Sequence, residues 1–335
     1  MNKRILLLVG ILLVIFLGAV CIGSTSIQLS ELKDIFLKFF LGIENESIDN
    51  SKYLIATTIR LPRALVVCLV GGALAVSGAI IQSILNNPIA TPYTLGVSSG
   101  AALGTGLVIV SGFEISKVGQ FSMPLVGFLF GFITILIVIQ LANKTDVNLS
   151  DYSIILSGVI ISLFISAALT LVSVFNQEKM NQITLWQLGS FSGRGWSQLT
   201  VLIPFLLVSF VWLMFYIKDL DILSFGTDSA HSLGINTTKT KKILLIITTL
   251  ISGSCVAICG IIGFVDLIAP HVARRLVGAK HNKLLPATFL VGASLLLVAD
   301  TMSRTLFAPI ELPIGAITAV IGVPFFIYIY TRKAL

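Results

Sequence analysis

The sequence predicts an all-α integral membrane protein of about ten transmembrane helices. Of its 335 residues, 56% are hydrophobic and only 11% are charged, whereas about a quarter of the residues in an average soluble domain are charged. Apolar runs close to the length of about 20 residues that a bilayer requires follow one another along the chain. Because a soluble fold of this size has too little interior to bury so much apolar surface, the bilayer is the expected solvent.

The apolar runs, read against the polar breaks, give ten predicted spans. They lie near residues 5–23, 61–84, 95–112, 120–141, 153–175, 199–217, 243–262, 263–273, 286–303 and 313–331. The first run follows Lys3 and Arg4 and has no obvious small-x-small cleavage site. We therefore interpret it as a retained span and not as a signal peptide.

The eighth span is predicted to be short. The 31 residues from Ile243 to Ala273 are too few for two crossings of about 20 residues each, and basic clusters flank both ends. The chain should therefore enter and return on the same side, with a break at residues 260–264. A break in a membrane is tolerated only where the freed backbone groups are buried among other helices.

The basic residues predict the orientation. With a cytoplasmic N-terminus and alternating spans, thirteen of the 22 lysines and arginines fall on the inner side, in agreement with the positive-inside rule. The loop from Ser24 to Thr58, which includes Glu44 and Glu46, is net acidic and is assigned to the outside. We expect both termini in the cytoplasm. The net charge of +7 then belongs to cytoplasmic loops and does not indicate nucleic-acid binding.

Three arginines are predicted to gather at the outer face. Arg60 and Arg63 stand where the acidic loop re-enters the membrane, and Arg304 follows the ninth span on the same side. Guanidinium groups suit two-pronged recognition of carboxylates, so these arginines are candidates to receive acidic residues of a docking protein. Snorkelling toward lipid headgroups explains arginines at this depth about as well.

The inner segment at residues 219–236 is predicted to form a short amphipathic pair of helices. Apolar residues recur there at helical spacing, and two glycines stand where helical turns can end. These residues are Leu220, Leu223, Ala230, Leu233, Gly226 and Gly234. Such an element lies on the membrane surface or docks into a groove of a partner protein.

Asp266 and Asp300 are acidic residues in or beside apolar spans, where ionisable groups are usually functional. One function that would use them is that of an ion-coupled secondary transporter, in which they would be the proton or sodium sites. Asp300 precedes Arg304 by four residues, so the two can pair on one helix face. For Asp300 we favour this pairing over ion coupling. For Asp266 the sequence does not decide between a structural role and ion coupling.

Other chemistry is weakly represented in the sequence. The three histidines are scattered, and the four cysteines lie within or beside apolar runs, so we predict neither a metal site nor a disulfide. No nucleotide-binding loop of the form G-x-x-x-x-G-K-[ST] occurs. If ATP drives this protein, another subunit binds it. A membrane-embedded enzyme is the weaker alternative, because no paired acids or activated nucleophile stand out.

Several ordered motifs resemble the permease subunits of type II ABC importers for iron-siderophores, haem and vitamin B12. The resemblance covers nearly the whole chain. The motifs are Arg60-Leu61-Pro62-Arg63, the stretch 78–96 with Gln82 and Asn87-Pro88-Ile89-Ala90, Ser232-Leu233-Gly234, Gly263-Phe264-Val265, Leu267-Ile268-Ala269-Pro270-His271, Arg274-Arg275 and Glu311-Leu312-Pro313-Ile314-Gly315.

The resemblance implies a single permease domain over residues 1–335 in the cell membrane of a prokaryote, with a cytoplasmic coupling loop at about 218–242. It implies a second permease subunit, the same or homologous, two cytoplasmic ATP-binding subunits and an extracytoplasmic substrate-binding protein. Arg60, Arg63 and Arg304 would receive carboxylates of the binding protein, and the predicted helix pair would couple to the ATPase. This chain would hold no cofactor, since ATP and Mg would bind the partner subunit.

The resemblance also implies a pathway lined by the fifth and tenth spans, with an inner gate near Leu149, Ser150 and Asp151, extending to Ser153. One position departs from the family pattern, because similar proteins commonly carry glycine where this sequence has Asp266. A carboxylate at that depth must find a partner, for which Arg274 or a neighbouring helix end is expected, or else stay protonated.

Overall fold

The computed structural model describes residues 3–23, 25–42, 49–115 and 119–333, and the regular structure within these ranges is helical throughout. Fifteen α-helices occur there. They are α1 Lys3–Cys21, α2 Leu29–Leu41, α3 Asn50–Leu54, α4 Leu61–Ile84, α5 Val97–Ser111, α6 Ser122–Thr145, α7 Asp151–Phe175, α8 Gln177–Gln187, α9 Trp196–Met214, α10 Ile217–Leu223, α11 Thr227–Ser232, α12 Thr237–Cys259, α13 Val265–Val277, α14 His281–Thr305 and α15 Ile314–Lys333.

The predicted spans correspond to α1, α4, α5, α6, α7, α9, α12, α13, α14 and α15. Seven helical segments within the described ranges are long and apolar enough to cross a membrane, and α5 and α15 contribute shorter apolar helices. The remaining span, α13, has 13 residues. The all-α fold with one short span is therefore confirmed.

The prediction of an outer loop from Ser24 to Thr58 is wrong in one respect, because most of the described part of this segment is helical. α2 lies there, and a π-helical stretch at Ile55–Arg60 joins α3 to α4 into a segment of 35 residues. α2 is stabilised by the burial of Leu32 and Ile35, which a search for long apolar runs does not detect. Glu44 and Glu46 lie outside the described residues.

The centre of the bundle is formed by α4 and α12. The most apolar windows of these segments are 83% and 78% buried, against 17% for α1 and 28% for α7, so α1 and α7 lie at the periphery. α4 and α14 cross at Gly71 and Gly292, where a Cβ atom added to Gly292 would lie 2.4 Å from the Gly71 carbonyl oxygen. Small residues thus let the backbones of α4 and α14 approach closely.

The predicted break at residues 260–264 is confirmed, since α12 ends at Cys259 and α13 begins at Val265. Gly260 has a φ of +77°, a conformation that favours glycine. The freed carbonyl groups are satisfied by neighbouring elements: Tyr93 Oη donates to Ile262 O at 2.8 Å, and Ser190 N donates to Cys259 O at 2.8 Å. This burial makes non-helical backbone tolerable inside the membrane.

Candidate functional sites at the two ends of the bundle

At the predicted outer end, Arg63 lies between two carboxylates. Its Nε and Nη2 donate to Asp300 Oδ1 at 3.1 and 2.9 Å, and its Nη1 and Nη2 donate to Glu311 Oε1 and Oε2 at 2.8 and 3.1 Å. Arg63 is only 8% exposed, whereas the side chain of Glu311 is 37% exposed. Glu311 is therefore the carboxylate of this cluster that a partner molecule can reach.

The other two arginines fasten α1 to this cluster. Arg304 Nε lies 3.5 Å from Asp300 Oδ2, which confirms the predicted pairing across one helical turn, and Arg304 also donates to the Ala19 carbonyl. Arg60 donates to the carbonyls of Val20 and Cys21 at 3.0 and 2.9 Å. The structure thus brings the predicted arginines together at one end. Their docking role remains a prediction.

At the opposite end, which is cytoplasmic in the predicted orientation, α10 and α11 form the predicted helix pair. Gly226 and Gly234, with φ of +102° and +82°, lie at the turns as expected. Leu220, Leu223 and Ala230 are buried within this chain, so they hold the pair onto the bundle.

Phe225 and Leu233 are the large apolar residues that the helix pair exposes, by 78% and 68%. Leu233 was a predicted coupling residue, but sequence reasoning missed Phe225. The signal that could have found Phe225 is a large aromatic residue directly before the turn glycine Gly226. These two side chains are available to a partner protein, and the coupling role remains a prediction.

The predicted gate lies in the loop between α6 and α7. The Asp146 carboxylate accepts hydrogen bonds from Ser150 N at 3.2 Å and Asn148 N at 2.9 Å. Hydrogen bonding with Ser150, above all, lowers the pKa of Asp146. Leu149 is fully buried with a φ of +51°, and Ser150 caps α7 by accepting from Ser153 N. The loop therefore has a defined conformation, while its role as a gate remains a prediction.

Sequence reasoning missed Lys241, whose Nζ joins this loop to the helix pair. The side chain is fully buried and contacts Leu149, Asp151 and Thr227. The sequence shows it only as one of several basic residues before the seventh span. Its helical phase was the available signal, because Lys241 precedes the buried residues Leu244 and Leu245 by three and four positions.

A second polar joint connects α10 to the core. His281 Nδ1 lies 2.7 Å from Asp221 Oδ1, His281 N donates to the same oxygen at 2.8 Å, and His281 Nε2 lies 2.8 Å from Ser83 Oγ. The arrangement resembles a Ser-His-Asp set, but His281 is 1% exposed, so no substrate reaches it. We interpret it as a structural joint between α10, α14 and α4.

Asp266 does not meet its expected partner. Arg274 Nη1 donates to Gln82 Oε1 at 2.6 Å, so the prediction of an Asp266–Arg274 pair is wrong. Asp266 lies in the first turn of α13, the helix end that favours negative charge. Its two carboxylate oxygens have no side-chain hydrogen-bond partner among the described residues.

The fold defines the class of protein. Its backbone matches a solved structure described as an inward-facing conformation of a metal-chelate type ABC transporter, with a TM-score of 0.85 and 32% identity over 98% of this chain and 99% of that one. The chain is thus a multi-pass ABC transport permease. The profile of the FecCD transport family matches residues 11–332, and the chain belongs to that family.

Curated relatives support this assignment along the full length. The chain is 36% identical over 341 residues to the hemin transport system permease protein HmuU of Yersinia pestis, covering 99% of this chain and 98% of the relative. It is 37% identical over 335 residues to the Fe(3+)-citrate import system permease protein YfmE of Bacillus subtilis, covering 99% and 97%. The family resemblance inferred from the motifs is confirmed.

Proposed function

We propose that this chain is the permease subunit of an ATP-driven importer that moves an iron-siderophore, or a haem-like or cobalamin-like ligand, across the cell membrane. The observation that carries the proposal is the family match over residues 11–332, together with relatives named for hemin and Fe(3+)-citrate. An external binding protein would deliver the ligand to the end of the bundle that carries Arg63.

In the proposed assembly, this chain pairs with a second permease subunit, the same or homologous, and with two cytoplasmic ATP-binding subunits. ATP and Mg would bind those subunits, and this chain would hold no cofactor. Residues 1–335 would act as one permease domain, with the coupling loop at about 218–242. The exposed side chains of Phe225 and Leu233 support this placement, because an apolar helix pair can enter a groove of a partner protein.

Transport would proceed by alternating access, without covalent chemistry in this chain. ATP can shift the permease between its outward and inward states only through contacts that differ between those states. The helix pair would make those contacts with the ATPase, and the loop at Leu149, Ser150 and Asp151 would respond as the inner gate.

Docking would involve an exchange of ion pairs at Arg63. Because the guanidinium already holds Asp300 and Glu311, a carboxylate of the binding protein would compete with the more exposed Glu311. Arg60 and Arg304, which donate to backbone carbonyls of α1, would fix the position of Arg63 and add positive charge around it.

Replacing Glu311 with glutamine is expected to strengthen docking. Removing the competing charge frees Arg63, and since exposed ion pairs contribute about 0.2–1 kcal/mol, the dissociation constant should fall by about 1.4- to fivefold. Binding of the substrate-binding protein to the complex in lipid discs measures the effect, with Glu114→Gln as the control. Weaker docking of the Glu311 variant would contradict the exchange.

Uptake driven by ATP is expected to survive the substitution Asp266→Asn. An amide has nearly the same shape and avoids burying an unpaired charge, and the proposed importer needs no ionisable group at this position. The complex with its ATPase and binding protein is reconstituted in proteoliposomes. Uptake of iron from ferric citrate, a ferric hydroxamate and hemin is then measured with ATP present and a proton ionophore added.

Wild-type uptake that requires ATP and resists the ionophore supports the importer. Uptake that follows a proton gradient without an ATPase, and that disappears in the Asp266→Asn variant, would instead establish the ion-coupled transporter. Thermal unfolding of both proteins in detergent verifies that the variant retains its fold.

A further inference from the structure

Lys241 connects the two inner segments that the proposed function assigns to coupling and gating. Its Nζ lies 2.7 Å from Asp151 Oδ1, 3.2 Å from the Leu149 carbonyl oxygen and 3.2 Å from Thr227 Oγ1. Asp151 is the first residue of α7, and Thr227 is the first residue of α11. One ammonium group therefore holds the starts of two helices that belong to separate parts of the chain.

The burial of Lys241 makes this connection stiff. Its side chain is 0% exposed, while that of Asp151 is 29% exposed. A buried ammonium that loses its acceptors is strongly unfavourable, because water cannot replace them. When α11 moves, Lys241 and the loop before α7 must therefore move with it or leave a charge unpaired. The two neighbouring lysines, Lys239 and Lys242, line a groove of about 760 Å³ between the same segments and do not fill this position.

The two helices of the coupling pair are attached to different parts of the bundle. α10 is tied to α14 and α4 through Asp221, His281 and Ser83, whereas α11 is tied to α7 through Lys241. The turn at Phe225 and Gly226 separates them, and Phe225 is exposed there. A force applied to this turn would displace α11, and with it the start of α7, relative to an anchored α10.

We propose that Lys241 is the positioning residue that transmits movement of α11 to the loop before α7, and thereby couples ATP hydrolysis to opening of the inner gate. The inference rests on the proposed importer function. It adds a residue that neither the motifs nor the predicted coupling loop singled out for this role.

The test compares Lys241→Met with wild type in the assembled complex with ATPase and binding protein. Methionine keeps most of the volume and is compatible with burial, and Asp151 can be solvated, so the variant should fold. Iron uptake from ferric citrate, a ferric hydroxamate or hemin is measured with ATP hydrolysis in the same proteoliposomes. Lys283→Met, an exposed lysine at the same end, is the matched control.

We expect Lys241→Met to hydrolyse ATP in response to the binding protein but to transport about tenfold less ligand per ATP, the scale of a typical coupling free energy. The control should keep the wild-type ratio. A merely structural role would lower both activities together or lower the melting temperature, so the ratio separates the two.

A wild-type ratio in the Lys241→Met variant would overturn the proposal, and so would equal loss of hydrolysis and uptake in a correctly assembled complex. If the Lys241→Met variant fails to assemble, the Thr227→Val variant provides the test. It removes the contact between Lys241 and α11 but keeps the ion pair between Lys241 and Asp151. An unchanged ratio of ligand transported to ATP hydrolysed in this variant refutes the proposed role of Lys241. Failure of the wild type to show ATP-dependent uptake would refute the proposed function itself.

Discussion

Substituting Gly292 with leucine is expected to prevent α4 and α14 from packing at their crossing. A Cβ atom at Gly292 would lie 2.3 Å from the Cβ of Ala75 and 2.4 Å from the Gly71 carbonyl oxygen, so the two backbones would have to separate. Overpacking typically costs about 1–3 kcal/mol. We expect about 3 kcal/mol or more here, since the obstructing atoms include backbone and α4 forms the centre of the bundle.

The measurement is thermal unfolding of the purified chain in detergent, together with its yield in the membrane fraction. Gly10→Leu provides a matched control, because Gly10 also lies in an apolar helix, and among the described residues no atom beyond its own helix backbone lies within 4 Å of its added Cβ position. Equal melting temperatures for the two variants would show that the α4–α14 crossing is able to widen without loss.

Replacing Arg63 with methionine is the second substitution with a large expected effect. It would leave Asp300, 2% exposed, without the guanidinium that donates to it at 2.9 and 3.1 Å. Removing one partner of a buried pair costs about 3–5 kcal/mol. We expect about 3 kcal/mol, because Arg304 remains 3.5 Å from the Asp300 carboxylate and offsets part of the loss.

The double variant Arg63→Met with Asp300→Asn should recover part of this loss, because the buried Asp300 charge is removed together with Arg63, and Arg304 keeps its hydrogen bond to the Ala19 carbonyl. Glu311→Gln should change stability by less than about 1 kcal/mol, since its side chain is 37% exposed. Unfolding in detergent ranks the three variants. If the Arg63→Met variant has the same melting temperature as the wild type, yet the complex that contains it no longer responds to the binding protein, then Arg63 serves docking without stabilising the fold.

The candidate sites were predictable in part. The spacing of Leu220, Leu223 and Ala230 predicted the inner helix pair, because amphipathic periodicity is a local property of the chain. The i,i+4 spacing predicted the Asp300–Arg304 pair for the same reason. Spacing could not show that Leu220, Leu223 and Ala230 face the bundle, since that depends on which helices pack around α10 and α11.

Lys241 and Asp266 show the limit of reading residues one helix at a time. Lys241 pairs with Leu149 and Asp151, about 90 positions away. Its helical phase can mark it as buried, but no local pattern identifies these partners. For Asp266, the expected partner was Arg274 or a neighbouring helix end, and the alternative was a protonated carboxyl group. In the folded bundle, Arg274 instead donates a hydrogen bond to Gln82 of α4.

The sequence by itself determined that the bilayer is the solvent of this protein and that its fold is all-α. It also determined the positions of the spans and the break before α13. These follow from hydropathy and from the requirement that every backbone group in lipid be hydrogen-bonded, and both act within a few turns of chain. Only the tertiary structure decided that Arg63 pairs with Asp300 and Glu311 at the predicted outer end, and which lysine joins α7 to α11. Those pairs unite residues as far apart as Arg63 and Glu311, 248 positions along the chain, and packing of the whole bundle is what brings them within hydrogen-bond distance.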